Sequence, residues 1–117
     1  MNFLNIQIFG LTKCFDTKKA QRYFKERNTK FQFIDLAQKS MSKGELASVM
    51  SATNSTIEDI VNEKSKMYEK SYIKYLAGDE AKIEKILEYG ELLKTPIVRN
   101  GKQATIGYKP EIWKTWE

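Results

Sequence analysis

The 117 residues are 41% hydrophobic and 30% charged, with few prolines and glycines, which fits one packed domain and excludes a disordered or fibrous chain. The net charge of +5 raises nucleic acid as a partner, yet lysines alternate with acids, as in Glu63-Lys64-Ser65-Lys66. A solvated surface that attracts small anions or an acidic partner is therefore expected, without direct contact to nucleic acid.

Leu4 to Phe9 alternates Leu4, Ile6 and Ile8 with Asn5 and Gln7, which predicts a strand that Gly10 ends. Ala20, Tyr23 and Phe24 then recur at helical spacing from Thr17 to Arg27, with Asp16 or Thr17 as N-cap and Asn28 as the stop. Phe31, Phe33 and Ile34 predict a second strand, so a parallel βαβ unit follows. From Ser42 to about Glu91 the apolar spacing is helical throughout. One stripe is Leu46, Val49 and Met50, and a second, capped by Ser55 or Thr56, is Ile57, Ile60 and Val61. Tyr72, Tyr75 and Leu76 suggest a third, and Ile83, Ile86 and Leu87 a fourth. Pro96-Ile97-Val98 and Ala104-Thr105-Ile106 flank Asn100-Gly101, a hairpin signal that implies a type I′ turn with positive φ at both central residues. Pro110 suits the first position of a last helix bearing Ile112, Trp113 and Trp116. The expected architecture is α/β, one domain over 1–117: βαβ, a helical insert over 42–91, then ββα.

No apolar run nears the roughly 20 residues of a membrane span, and no charged and then apolar leader opens the chain, so no membrane contact and a cytoplasmic protein are expected. A lone cysteine agrees with a reducing compartment. The chain has no histidine, which removes the commonest general base and metal ligand, so no metal site is expected. Cys14 falls between the first strand and the first helix, where backbone N–H groups and the helix dipole favour a thiolate, and Lys13, Lys18 and Lys19 add positive charge. Isolated cysteines are as readily small buried hydrophobes, so position alone leaves both readings open. Asp16 opposes ionisation unless it points away as a cap. Pro96 opens a strand, where proline is tolerated, and both trans and cis forms are open to it.

The run Ile6-Gln7-Ile8-Phe9-Gly10-Leu11-Thr12-Lys13-Cys14 with Lys18-Lys19-Ala20 resembles the opening signature of the arsenate reductase/Spx family. Thr95-Pro96-Ile97-Val98 and Ile106-Gly107-Tyr108 resemble that family's proline-initiated strand and the glycine motif before its last helix. The likeness spans nearly the whole chain. It implies a thioredoxin-like fold with a mixed sheet and a cis-proline at Pro96 facing Cys14.

Departures from the family pattern shape the functional expectation. Spx-type regulators and thioredoxins carry a second cysteine three residues after the first, where this chain has Thr17, so an internal disulfide switch is excluded. Glutathione-coupled arsenate reductases manage with one catalytic cysteine but hold the oxyanion with arginines. This chain has Thr95 before the proline, Tyr108 after the glycine and Lys64 on the insert at the matching places. Lysine and threonine cannot reproduce the bidentate guanidinium fork. Lys13, Lys64, Lys94 and Arg99 are possible substitutes, each also readable as a surface residue.

The resemblance thus implies Cys14 as nucleophile of a monothiol redox protein. Lys13, Thr17, Lys64, Thr95 and Pro96 are the candidate residues around its substrate or anion. No bound cofactor is expected; a low-molecular-weight thiol or a redoxin supplies the second sulfur to a monomer. On this reading Cys14 titrates below the reference thiol value of about 8.5. The alternative from the same family is a non-enzymatic Spx-like regulator that binds the RNA polymerase α-subunit, favoured by Tyr108 and the missing arginines.

Overall fold

A computed structural model of the chain describes residues 5–116. Leu4, the first residue of the predicted opening strand, lies outside them.

Four strands form one mixed sheet in the order β2-β1-β3-β4. β1 (Ile6–Gly10) pairs in parallel with β2 (Phe31–Asp35), from Ile6 opposite Phe31 to Gly10 opposite Asp35. On its other side β1 runs antiparallel to β3 (Ile97–Asn100), which pairs in turn with β4 (Gln103–Ile106). The parallel pair is joined by α1 (Phe15–Glu26), as a parallel connection requires. This is the thioredoxin-like α/β arrangement that the family resemblance implies.

Side-chain alternation divides the core between the two faces of the sheet. Ile6, Ile8 and Val98 pack with Ala20, Phe24, Trp113 and Trp116 under α1 and the last helix, α6 (Pro110–Trp113), entered through Pro110. Trp113 is the centre of that face: its indole N–H donates to Thr105 Oγ1 at 2.7 Å, and Phe24 and Tyr108 lie 5.1 and 5.5 Å from its ring. Phe9, Ile34 and Ile97 point the other way, into a larger cluster with Leu46, Val49, Ile60, Ile86 and Leu92 from the helices between β2 and β3.

Those helices are α2 (Lys43–Thr53), α3 (Ile57–Ile60), α4 (Lys66–Lys70) and α5 (Asp79–Glu88). α2 and α3 each open in a reciprocal capping box, Ser42 with Glu45 and Thr56 with Asp59, which satisfies orphan N–H groups at both starts. Thr56 rather than Ser55 is thus the second cap. Three details depart from the predicted pattern. Val61 leaves its helix in extended conformation and pairs with Leu93, while Asn62 N donates to Leu92 O and Lys94 N to Ile60 O, so the chain before Pro96 is strapped to the insert. The tyrosine stripe is not a helix: α4 stops at Lys70, Tyr72 sits in the left-handed region with φ 54°, and Ile73 is buried in a 3₁₀ turn (Ile73–Tyr75). Tyr72 and Tyr75 are 67% and 76% exposed, and of the predicted stripe Leu76 packs on the core, beside the buried Ile73. In the hairpin, Asn100 pairs with Gln103, leaving Gly101-Lys102 as the loop. Gly101 alone of those two has positive φ, which is the II′ pattern rather than I′.

Among the described residues no helix is long and apolar enough to cross a membrane.

Candidate active site

β1 ends at Gly10, and Leu11-Thr12-Lys13-Cys14 turns back on itself, Cys14 N donating to Leu11 O at 3.0 Å. Cys14 itself is the N-cap of α1, in extended conformation with φ −82° and ψ 121°, and Lys18 N donates to its carbonyl. The expected caps Asp16 and Thr17 lie inside the helix instead. Asp16 faces solvent in the first turn, where a carboxylate suits the dipole. Thr17 is fully buried, one turn beyond Cys14. Its seat exists because Gly10 has no side chain: a Cβ there would stand 2.5 Å from Thr17 Cγ2 and 2.6 Å from Oγ1.

The half-buried Cys14 thiol donates to the carbonyl oxygen of Thr95 at 3.7 Å. The Thr95-Pro96 peptide is cis, Pro96 is buried, and Pro96 O accepts from Gly107 N at 2.7 Å. The cis Thr95-Pro96 step therefore lies at the thiol, as the resemblance implies, and Gly107 ties to that step through Pro96.

Burial pushes the Cys14 pKa up, but the Thr17 and Thr95 hydroxyls and the backbone N–H groups of Thr17 and Asp16 together hold it below the ordinary thiol value. In the thiol form, with its proton on Thr95 O, Thr17 Oγ1 has no hydrogen-bond partner although it is buried. Thr17 is thus a buried hydroxyl one turn from Cys14 that favours the ionised sulfur.

The other predicted site residues divide. Thr95 and Pro96 join Cys14 and Thr17. Lys13 is exposed on the turn and lines a neighbouring cleft of about 340 Å³ with Asp35, Glu88 and Glu91, whose lining does not include Cys14. Lys64 is exposed between α3 and α4, its ammonium in no ion pair among the described residues, and nothing brings it to Cys14. Arg99 is unavailable to an anion, since it donates to Gln7 Oε1 at 3.1 Å and stands 3.6 Å from Glu45. Tyr108 packs edge-on against Trp113 with Lys19 over its ring. Among the described residues there is no group of three or more His, Cys, Asp or Glu side chains suited to a metal ion.

Sequence reading missed the role of Gly10 and the exposure of Phe15, which is 77% open to solvent immediately after Cys14. A glycine closing β1 seven residues before Thr17 was a legible signal for the first.

A family model described as the ArsC family matches residues 9–116. The chain belongs to the ArsC family. ArsC relatives include the global transcriptional regulator Spx 2 of Oceanobacillus iheyensis, 25% identical over 90% of this chain and 78% of that protein. The uncharacterized protein YusI of Bacillus subtilis is 22% identical over 92% of this chain and 94% of its own length. Among solved ArsC structures, an arsenate reductase from Vibrio cholerae superposes with TM-score 0.85 at 20% identity, covering 99% of this chain and 100% of that one. This chain thus resembles regulators in sequence and a reductase in fold, and the site residues have to separate the two.

Proposed function

We propose that this ArsC-family chain is a monothiol redox protein with Cys14 as its nucleophile. The observation that carries the reading is the seat of the one sulfur: half-buried on the N-cap residue of α1, against the Thr95 carbonyl before the cis Pro96, with a pKa held below the ordinary value. The thiolate attacks one sulfur of an oxidised substrate R–S–S–R′, forming Cys14–S–S–R and releasing R′–S⁻, which takes up a proton. A low-molecular-weight thiol or a redoxin then attacks sulfur R, frees Cys14 as thiolate and leaves as its own mixed disulfide with R. No bound cofactor takes part; the external thiol is a co-substrate. Arsenate as substrate has less support, because Thr95, Tyr108 and Lys64 stand where reductases use arginines, and Arg99 is engaged by Gln7 and Glu45.

The test is iodoacetamide alkylation of native protein against pH. The reading expects a midpoint below the reference value of about 8.5, and a midpoint at or above it removes the case for a catalytic thiol. An arsenate reductase assay with several thiol donors, with Cys14→Ser as blank, decides the substrate.

A second reading, an Spx-like regulator that binds the RNA polymerase α-subunit, is favoured by the Spx relatives and by Tyr108 after Gly107. It expects retention of this chain on the immobilised C-terminal domain of that subunit at low salt. Failure to bind there rules it out.

A further inference from the structure

The excess charge is not spread along the chain. Residues 13–30 hold seven lysines and arginines against Asp16 and Glu26, and the remainder of the chain balances with thirteen of each sign. The whole net charge of +5 therefore lies on α1 and its flanks. Thr17, Ala20, Tyr23 and Phe24 face the core, so Phe15, Lys18, Lys19 and Arg22, at helical spacing on the outer face, all stand in solvent.

The fold widens this stripe. α1 and the start of α6 enclose a cleft of about 490 Å³ in which Lys19, Arg22, Arg27 and Lys114 meet a single carboxylate, Glu26. None of these four cations, nor Lys18, enters an ion pair among the described residues; the ion pairs present all lie elsewhere. Lys18 and Lys19 instead rest over the rings of Phe15 and Tyr108, 5.5 and 5.7 Å from their centroids. Phe15, 77% exposed, begins the stripe beside the sulfur.

We propose that the outer face of α1, with the α1–α6 cleft, is the docking surface for a protein that presents a patch of Asp and Glu beside its own thiol. The inference deepens the redox reading of Cys14 and rests on it for the identity of that partner as the resolving redoxin. Charge complementarity selects an acidic partner and speeds its encounter. The twelve residues of α1 extend about 18 Å, far beyond what a small thiol covers. Single-stranded nucleic acid would use open aromatic faces for stacking, whereas the two rings on this surface each carry a lysine, Lys18 over Phe15 and Lys19 over Tyr108. An exposed phenylalanine at the thiol end suits an apolar collar around a partner's cysteine.

The test uses two fluorescent peptides that differ only in glutamates against glutamines, each with serine in place of its cysteine, and a single-stranded oligonucleotide of equal charge, read by anisotropy. The glutamate peptide is expected to bind about tenfold tighter than the glutamine peptide at low salt, with the preference collapsing at high salt. It should vanish in Lys19→Glu/Arg22→Glu and weaken in Lys19→Gln/Arg22→Gln, with circular dichroism verifying the fold. Equal binding of the two peptides, an undiminished preference in the charge-reversed protein, or tighter binding of the oligonucleotide overturns the proposal. Loading of Cys14 by Ellman's reagent is measured separately: failure there removes the redox reading, while the anisotropy outcome still decides whether the surface binds acidic partners.

Discussion

Replacing Thr17 by valine exchanges a hydroxyl for a methyl at constant shape, and the structure assigns that change two consequences of opposite sign. Thr17 is 0% exposed and its Oγ1 has no partner while Cys14 is a thiol. A buried polar group left unsatisfied costs about 1–3 kcal/mol, so its removal should raise stability by an amount in that range at a pH where Cys14 is protonated. Helix propensity adds little, because threonine and valine rank together. The thiolate, by contrast, loses one of its donors, so the Cys14 pKa moves upward in the variant. The protein becomes more stable and less reactive at once. Urea unfolding at mildly acidic pH with an unchanged m-value measures the first effect, and the iodoacetamide midpoint the second. A variant destabilised by more than about 1 kcal/mol with an unmoved midpoint would refute the reasoning, since the hydroxyl would then have a native partner other than the sulfur.

Gly10→Ala places a Cβ 2.5 Å from Thr17 Cγ2 and is expected to cost about 1–3 kcal/mol in urea unfolding, with a much smaller cost in a Thr17→Ala background. Equal costs in the two backgrounds would show that the contact is not the cause. Thr105→Val leaves the buried Trp113 N–H without its acceptor and should lose about 1–3 kcal/mol, followed by tryptophan fluorescence; no loss means the indole finds another acceptor. Stability should also depend on pH through Cys14. Its pKa is lowered in the folded state, so the unfolded chain binds more protons in the interval between the two values. Unfolding free energy therefore rises with pH across that interval, is complete above the unfolded value, and is lost as pH falls through the folded one. Cys14→Ser should abolish that rise, and an identical pH profile for both proteins would contradict it.

The sheet was legible because its signals are local. Alternation marks β1, Asn100-Gly101 marks the hairpin, and Pro110 marks the last helix; the II′ turn replaces the expected I′ without moving the strands. The tyrosine stripe failed because periodicity records spacing and not which residue finds a core, and the neighbouring Ile73 had the better fit. Around the sulfur, the resemblance brought Cys14, Thr95 and Pro96 together, as the structure does. It also grouped Lys64 with them, and no local pattern reveals where an insert loop projects. Thr17 was legible as a candidate beside the sulfur, but its burial was not, because that seat depends on Gly10, a contact between strand and helix that neither segment displays alone. The charge concentrated in residues 13–30 was always countable, but alternation elsewhere in the chain concealed it.

The presence of Thr17 where a second cysteine would stand also fixes a kinetic order. With no second sulfur of cysteine among the 117 residues, an adduct on Cys14 has no unimolecular exit by exchange, and its decay is first order in whatever thiol surrounds it. Its lifetime halves when that concentration doubles and does not change with dilution of the protein itself. On the proposed redox reading, the persistence of the modified form would report ambient reducing capacity.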